Sequence, residues 1–295
     1  MVIHTTPNGT TYFVKTPLYN MWKKNSLAEM KRRNSDRLYI VDGRERMGKS
    51  LFTFQQAAVL DDKMFSSPQE FISRICFTPE EFLEAVKNTY NGVVVFDEAF
   101  RGFSSRAALS KVNRKLIQAT MEMGQNNNIV FIVLPSFFIL DWYIALQRSN
   151  GLFNIREEKK TGKRYFSLYN IKDKNVIYQE GVRKGWAYTR NSPFKGYYPK
   201  TFPGGVEFER AYLEKKRRSF QELEKLEEKP EKETDRQKKI KLLTYHSYLK
   251  FKELADWTLA DYHRWYCDGI ETVTIETLKR RILDTKGSPP LLKSS

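Results

Sequence analysis

The stretch RLYIVDGRERMGKSLFTFQQ, Arg37 to Gln56, runs from an apolar segment into GRERMGKS and out into a helix-like pattern. Its apolar run predicts a strand over Arg37 to Asp42, and Lys49 to Leu60 predicts a helix beginning at the loop. Between them stands the spacing G-x-x-x-x-G-K-S, that of a phosphate-binding loop. Such a loop aims consecutive backbone N–H groups at phosphate oxygens from the positive end of a helix. Gly43 and Gly48 permit the backbone turns and the close approach that this needs. Arg44, Glu45, Arg46 and Met47 make an unusually bulky filling, but what the cradle takes from them is their N–H groups. Residues Gly43, Arg44, Glu45, Arg46, Met47, Gly48, Lys49 and Ser50 are therefore expected to bind a nucleotide. Lys49 would place its charge on the outer phosphates, and the hydroxyl of Ser50 would bind Mg²⁺.

A second string, VVVFDEAF, begins at Val93. Four apolar residues predict a strand covered on both faces, ending with Asp97 at the sheet edge where ligands of such sheets bind. Asp97 is then expected to hold Mg²⁺ together with Ser50, and Glu98 to polarise an attacking water as general base. The 48 positions separating Asp97 from Lys49 leave room for one extra strand, and ISRICFT, Ile72 to Thr78, is the segment that fits. Further strands are expected at NIVFIVL and GLFNIR, with helices at PEEFLEAVKN and from about Ala107 to Met123. This alternation predicts an α/β fold, a doubly wound and mostly parallel sheet.

The combination resembles the additional-strand catalytic-glutamate class of P-loop ATPases, with a RecA-like core. FDEAFRGFSSRAAL followed by EMGQNNNIVFIVLPSFFILDWYIALQRSNGLFNI resembles in order the FtsK/HerA-type DNA translocases and the zonular occludens toxin-like (Zot) ATPases of filamentous phages. The resemblance covers roughly residues 37 to 156 and is specific at Gly43, Gly48, Lys49, Ser50, Asp97 and Glu98. It implies ATP and Mg²⁺ as cofactors, a ring or other homo-oligomer, and an arginine lent by a neighbouring subunit. Arg101, Arg106, Arg114 and Arg148 lie in the right half of the domain, and Arg106 is the one favoured as a catalytic residue. The family usually has glutamine beside its proline, whereas Leu134 and Ser136 flank Pro135 here. Ser136 or Gln125 is left to sense the terminal phosphate. No guanine-reading N-K-x-D string occurs.

Around this core the 295-residue chain carries a formal charge of +16, which implies attraction to a polyanion. Residues 156–200 hold twelve Lys or Arg against four Asp or Glu, interleaved with nine aromatic residues. Short strands joined by turns at KTGKR and IKDKN would make this a basic β-hairpin extension. It is either a surface for nucleic acid or a hairpin whose tyrosines pack into the core. The organisation expected is an N-terminal arm over 1–35 with a short helix at LAEMKRR, an ATPase core over 36–155 and the basic extension over 156–205. A charged helix and linker over 206–236 and a helical domain over 237–295 complete it. The last resembles a helix-turn-helix, with Thr274 capping a recognition helix and Lys279, Arg280 and Arg281 facing phosphates. Trp265 stands where such a turn usually wants a small residue.

Two cysteines, Cys76 and Cys267, and three scattered histidines suggest reduced thiols and no metal site of their own. No basic-then-apolar signal opens the sequence. The apolar run Ile129 to Leu146 is broken by Pro135, Ser136 and Asp141, and reads as a strand, a turn and a helix rather than a membrane span. A cytoplasmic, Mg²⁺-dependent ATPase that moves or remodels DNA in a viral or mobile-element process is the leading expectation. A slow ATP-gated DNA-binding switch and a Zot-like assembly ATPase at a membrane are the alternatives.

Overall fold

The computed structural model describes residues 1–27, 32–98, 106–227, 235–255, 258–269 and 273–285. Contacts divide the chain into two compact units, 1–226 and 227–295.

The first unit is built on a seven-stranded sheet in the order β4-β5-β6-β3-β7-β8-β9. The strands are β3 (Arg37–Asp42), β4 (Ile75–Cys76), β5 (Val93–Phe96), β6 (Ile129–Val133), β7 (Gly151–Glu157), β8 (Arg164–Tyr169) and β9 (Phe194–Tyr198). β4 through β7 pair in parallel, and β8 and β9 extend the sheet antiparallel. Residues alternate between two buried faces, as a doubly covered sheet requires. In β3, Tyr39 and Val41 enter one core while Leu38 and Ile40 enter the other. On the first face lie α2 (Lys49–Leu60), α3 (Pro68–Ser73) and α7 (Gly205–Glu227); on the second lie α4 (Pro79–Asn88), α5 (Arg106–Glu122) and α6 (Ile171–Arg183). This is an α/β fold with a mostly parallel sheet, as the sequence predicts.

The strand inserted between β3, which feeds the phosphate loop, and β5, which carries the acidic pair, is β6. The strand expected at Ile72 to Thr78 is present but short: β4 spans only Ile75–Cys76 and lies at the sheet edge. Ile72 belongs instead to α3, because Ser67 accepts a hydrogen bond from Glu70 N at 3.1 Å and Pro68 fills the first turn. A second correction concerns IKDKN, expected as a turn. It opens α6, because the Asn170 side chain caps Asp173 N at 3.0 Å.

The N-terminal segment is no free arm. β1 (Val2–Thr5) and β2 (Thr11–Val14) form a hairpin, and α1 (Thr16–Asn20) leads into a wider helical turn, Met21–Leu27. Trp22 is fully buried and donates to Gln56 Oε1 at 2.9 Å, while Tyr12 donates to Gln55 O at 2.7 Å. These anchors grip the buried face of α2. Most of the LAEMKRR helix lies outside the described residues. Among the described residues no helix is long and apolar enough to cross a membrane.

The second unit contains α8 (Asp235–Ala255), α9 (Leu259–Gly269) and α10 (Ile275–Thr285), packed around Tyr262, Tyr266, Leu278 and Ile282. Thr274 caps α10, accepting from Thr277 N at 3.2 Å. Lys279 and Arg280 are exposed; Arg281 is half-buried and donates to the Tyr266 hydroxyl at 3.2 Å. Trp265 rests against the Tyr262 ring. The turn between α9 and α10 lies outside the described residues.

Candidate functional site

The loop following β3 sits at the C-terminal edge of the parallel strands. Gly43 adopts φ +142° with the Ile155 carbonyl so close that a Cβ would lie 2.4 Å from it. Gly48 adopts φ +85°, beneath the Arg164 guanidinium. The bulky filling is accommodated by sorting its side chains. Glu45 and Arg46 line one cleft, Arg44 lines another, and Met47 packs against the core. Arg46 sits in the left-handed region at φ +62°. From beneath, the Tyr198 hydroxyl of β9 donates to Met47 O at 3.1 Å and Gly48 O at 3.2 Å.

Lys49 donates to Gly43 O at 2.8 Å and Arg44 O at 2.9 Å. Burial lowers its pKa, while Glu98, Asp97, Asp42 and Glu45 pull it back up. Ser50, one residue on, donates its hydroxyl to Asp97 Oδ1 at 3.1 Å. β5 delivers Asp97 and Glu98 together. Asp97 is fully buried, and Oδ1 also accepts from Glu98 N at 3.0 Å. Glu98 stands at φ +53°, a region that residues other than glycine, asparagine and aspartate enter uncommonly.

The space in front of these groups is a cleft of about 720 Å³, lined by Glu45, Arg46, Gly48, Lys49, Ser50, Glu98, Pro135, Arg164 and Lys216 among others. The volume suits a small-molecule ligand. Ser50, which lines the cleft, and Asp97, buried behind it, are hard oxygen donors in contact. That fits Mg²⁺, which takes one or two protein oxygens and completes its shell with water and substrate phosphate. They would hold the ion, and it would supply charge neutralisation between the outer phosphates.

Three residues absent from the sequence reading shape this site. Tyr212 of α7 donates to Asp97 Oδ2 at 2.7 Å. Lys216, one turn on, donates to Glu98 Oε1 at 2.7 Å. Burial raises the Asp97 carboxyl above its ordinary range; Lys216 and the Tyr212 hydrogen bond counter that rise. Asp42, buried at the end of β3, accepts from Phe137 N at 3.0 Å, Asn154 Nδ2 at 2.8 Å and the Tyr188 hydroxyl. It ties β3, β7 and the segment after β6 into one floor under the loop. The helical row Phe208, Tyr212, Lys216, Phe220 was the available signal for α7. It places a lysine where the spacing calls for an apolar residue.

The other predicted residues fare differently. Arg148 is committed to Asp36 and to Thr120 O, a structural bracket far from a finger role. Arg106 is the first residue of α5; its side chain, and Arg101 altogether, lie outside the described residues. Gln125 cannot sense a phosphate bound at this loop. It lies in the turn Met123–Asn126 before β6, at the opposite end of the sheet. Ser136 lines a second cleft of about 650 Å³, beside Asp42, Arg156, Trp186 and Tyr188.

The basic extension divides. Phe166, Tyr169 and Tyr198 are buried, and Lys174 is buried with its ammonium on Ala145 O, Leu146 O and Ser149 Oγ. Trp186 and Tyr197 remain exposed at 56% and 43%. Most of the aromatic payload is therefore core, and the surface keeps the charge and two rings.

No protein-family model matches the sequence, and no curated protein matches it. Among solved structures, the N-terminal domain of zonular occludens toxin from Neisseria meningitidis aligns at 16% identity and a TM-score of 0.33. That alignment covers 56% of this chain and 94% of the other. A KaiC-like protein from Pyrococcus horikoshii aligns at 12% identity and a TM-score of 0.32, covering 55% and 85% respectively. Likenesses this distant carry no weight of their own; the P-loop-type fold stands on the strand order and on the loop at the end of β3.

Proposed function

We propose that this chain is a Mg²⁺-dependent ATPase that acts on DNA. The observation that carries the proposal is the convergence of Lys49, Ser50 and Glu98 on one cleft, with Asp97 buried behind Ser50, from two parallel strands separated by β6. A triphosphate entering that cleft would trade the Gly43 and Arg44 carbonyls for its own oxygens at Lys49. A water then attacks the terminal phosphorus, Glu98 takes a proton from it, and the bridging oxygen leaves with the diphosphate. General-base assistance of this kind contributes roughly 10² to 10⁴ in rate.

DNA as the object of the work is supported by the +16 formal charge and by the exposed Trp186 in a cleft with Arg44, Arg156 and Lys159. Cations neutralise phosphates, and an exposed indole stacks on unpaired bases. Kinship with FtsK/HerA-type translocases or Zot-like ATPases, assembly as a homo-oligomer and a role in moving viral or mobile DNA belong to the same proposal. Its test is ATP turnover by the purified chain at low salt, with and without single- and double-stranded DNA. Stimulation by either form supports action on DNA; turnover indifferent to both removes it.

A further inference from the structure

α7 presents Phe208, Tyr212, Lys216 and Phe220 along one row, four residues apart. Phe208 stacks on Phe65, and the Tyr212 ring meets Phe54 edge-on. Lys215 donates to Ile72 O and Ile75 O, fixing the helix to the rim of the sheet. Between the Tyr212 and Phe220 rings, 5.6 Å and 5.5 Å away, stands the Lys216 ammonium. Its side chain is 21% exposed, and it also donates to the Tyr212 hydroxyl at 3.2 Å. The ammonium is thus held at the wall of the cleft, which Lys216 lines, by two rings, a hydroxyl and a carboxylate.

We propose that Lys216 reads the terminal phosphate of a bound nucleoside triphosphate, exchanging Glu98 for phosphate oxygens. This rests on the reading of the cleft as a nucleotide site. Without a triphosphate the ammonium pairs with Oε1 of Glu98, the carboxylate on which water activation depends. A terminal phosphate carries more charge than the carboxylate and offers three oxygens in place of two. When it enters beside Lys49, the ammonium moves to it and Glu98 is released to accept a proton from water. With a diphosphate the ammonium stays on Glu98. The arrangement supplies what the segment after β6 lacks: Leu134 is buried and apolar, Pro135 has no donor, and Ser136 lines the other cleft. The cation comes from the same chain, so it needs no neighbouring subunit.

The test compares binding of ADP and of a non-hydrolysable ATP analogue, each with Mg²⁺, by calorimetry on the full chain. Wild type is expected to prefer the analogue. Lys216→Met should lose roughly tenfold or more of that preference, the scale of one charge-assisted contact, while ADP affinity stays within about twofold. Lys216→Arg should restore part of it. If Lys216→Met fails to fold because Glu98 is left unpaired, the same ratio is read in Glu98→Gln against Glu98→Gln/Lys216→Met. A folded Lys216→Met chain that keeps the wild-type ratio overturns the proposal while leaving the nucleotide site intact. Wild type that binds neither ligand overturns the reading of the cleft, and this proposal with it.

Discussion

Tyr212 donates its phenolic hydrogen to Oδ2 of Asp97 across 115 positions of sequence, joining the charged helix α7 to the acidic end of β5. Asp97 is wholly buried, so each donor it receives matters. Removing one hydrogen bond to a buried carboxylate costs about 1–3 kcal/mol. Tyr212→Phe is expected to lose stability on that scale in urea unfolding. The pH dependence has a definite sign. Burial raises the folded pKa of Asp97 above 3.8, so within that window the folded state binds more protons and stability falls as pH rises. The Tyr212 bond opposes the rise, so its loss should cost more at neutral pH than in mild acid.

The two glycines of the loop should rank. A Cβ on Gly43 would strike the Ile155 backbone carbonyl at 2.4 Å, where nothing can swing aside. On Gly48 it would meet the end of the Arg164 side chain at 2.8 Å, which can move. Both alanines adopt an unfavourable φ, but Gly43→Ala should destabilise by about 2 kcal/mol or more, exceeding Gly48→Ala. Thermal melting of the two variants settles the order, and equal melting temperatures would refute it.

How far the site was legible follows from where its residues lie. Lys49, Ser50, Asp97 and Glu98 sit within two contiguous strings whose spacing encodes a strand end and a turn, and local chemistry was enough. Tyr212, Lys216 and Asp42 act across more than ninety positions, through packing that no local pattern specifies. IKDKN misled because its charges look like a turn, while the helix-starting cap is the preceding Asn170. The N-terminal anchors escaped notice because what Trp22 grips, Gln56, lies on another helix 34 positions away.

Lys174 offers a test of burial. Its ammonium lies among Ala145 O, Leu146 O and Ser149 Oγ, and burial pushes its pKa down to about 8 from 10.5. Between those values the unfolded chain binds more protons, so stability contributed through this group rises with pH. Unfolding midpoints of the wild type should therefore gain on those of Lys174→Met from about pH 8 to about pH 10. A constant gap would contradict this.

Trp186 is exposed, so Trp186→Ala should leave stability within about 0.5 kcal/mol. If its indole receives a base, affinity for single-stranded DNA should fall by about 1–3 kcal/mol. Fluorescence anisotropy at low salt reads this directly. If Lys159 meets a phosphate there, Lys159→Ala should instead flatten the dependence of binding on salt, because one such contact would be gone.

Glu98 and the cleft it faces decide the proposed chemistry. Mg²⁺-ATP turnover and Mg²⁺-ATP binding should be measured together on the wild type and on Glu98→Gln. The expected result is tight binding by both and a loss of roughly 10² or more in turnover by the variant. Wild-type protein that neither binds nor hydrolyses ATP, or a Glu98→Gln protein that hydrolyses it as fast as the wild type, would contradict the account.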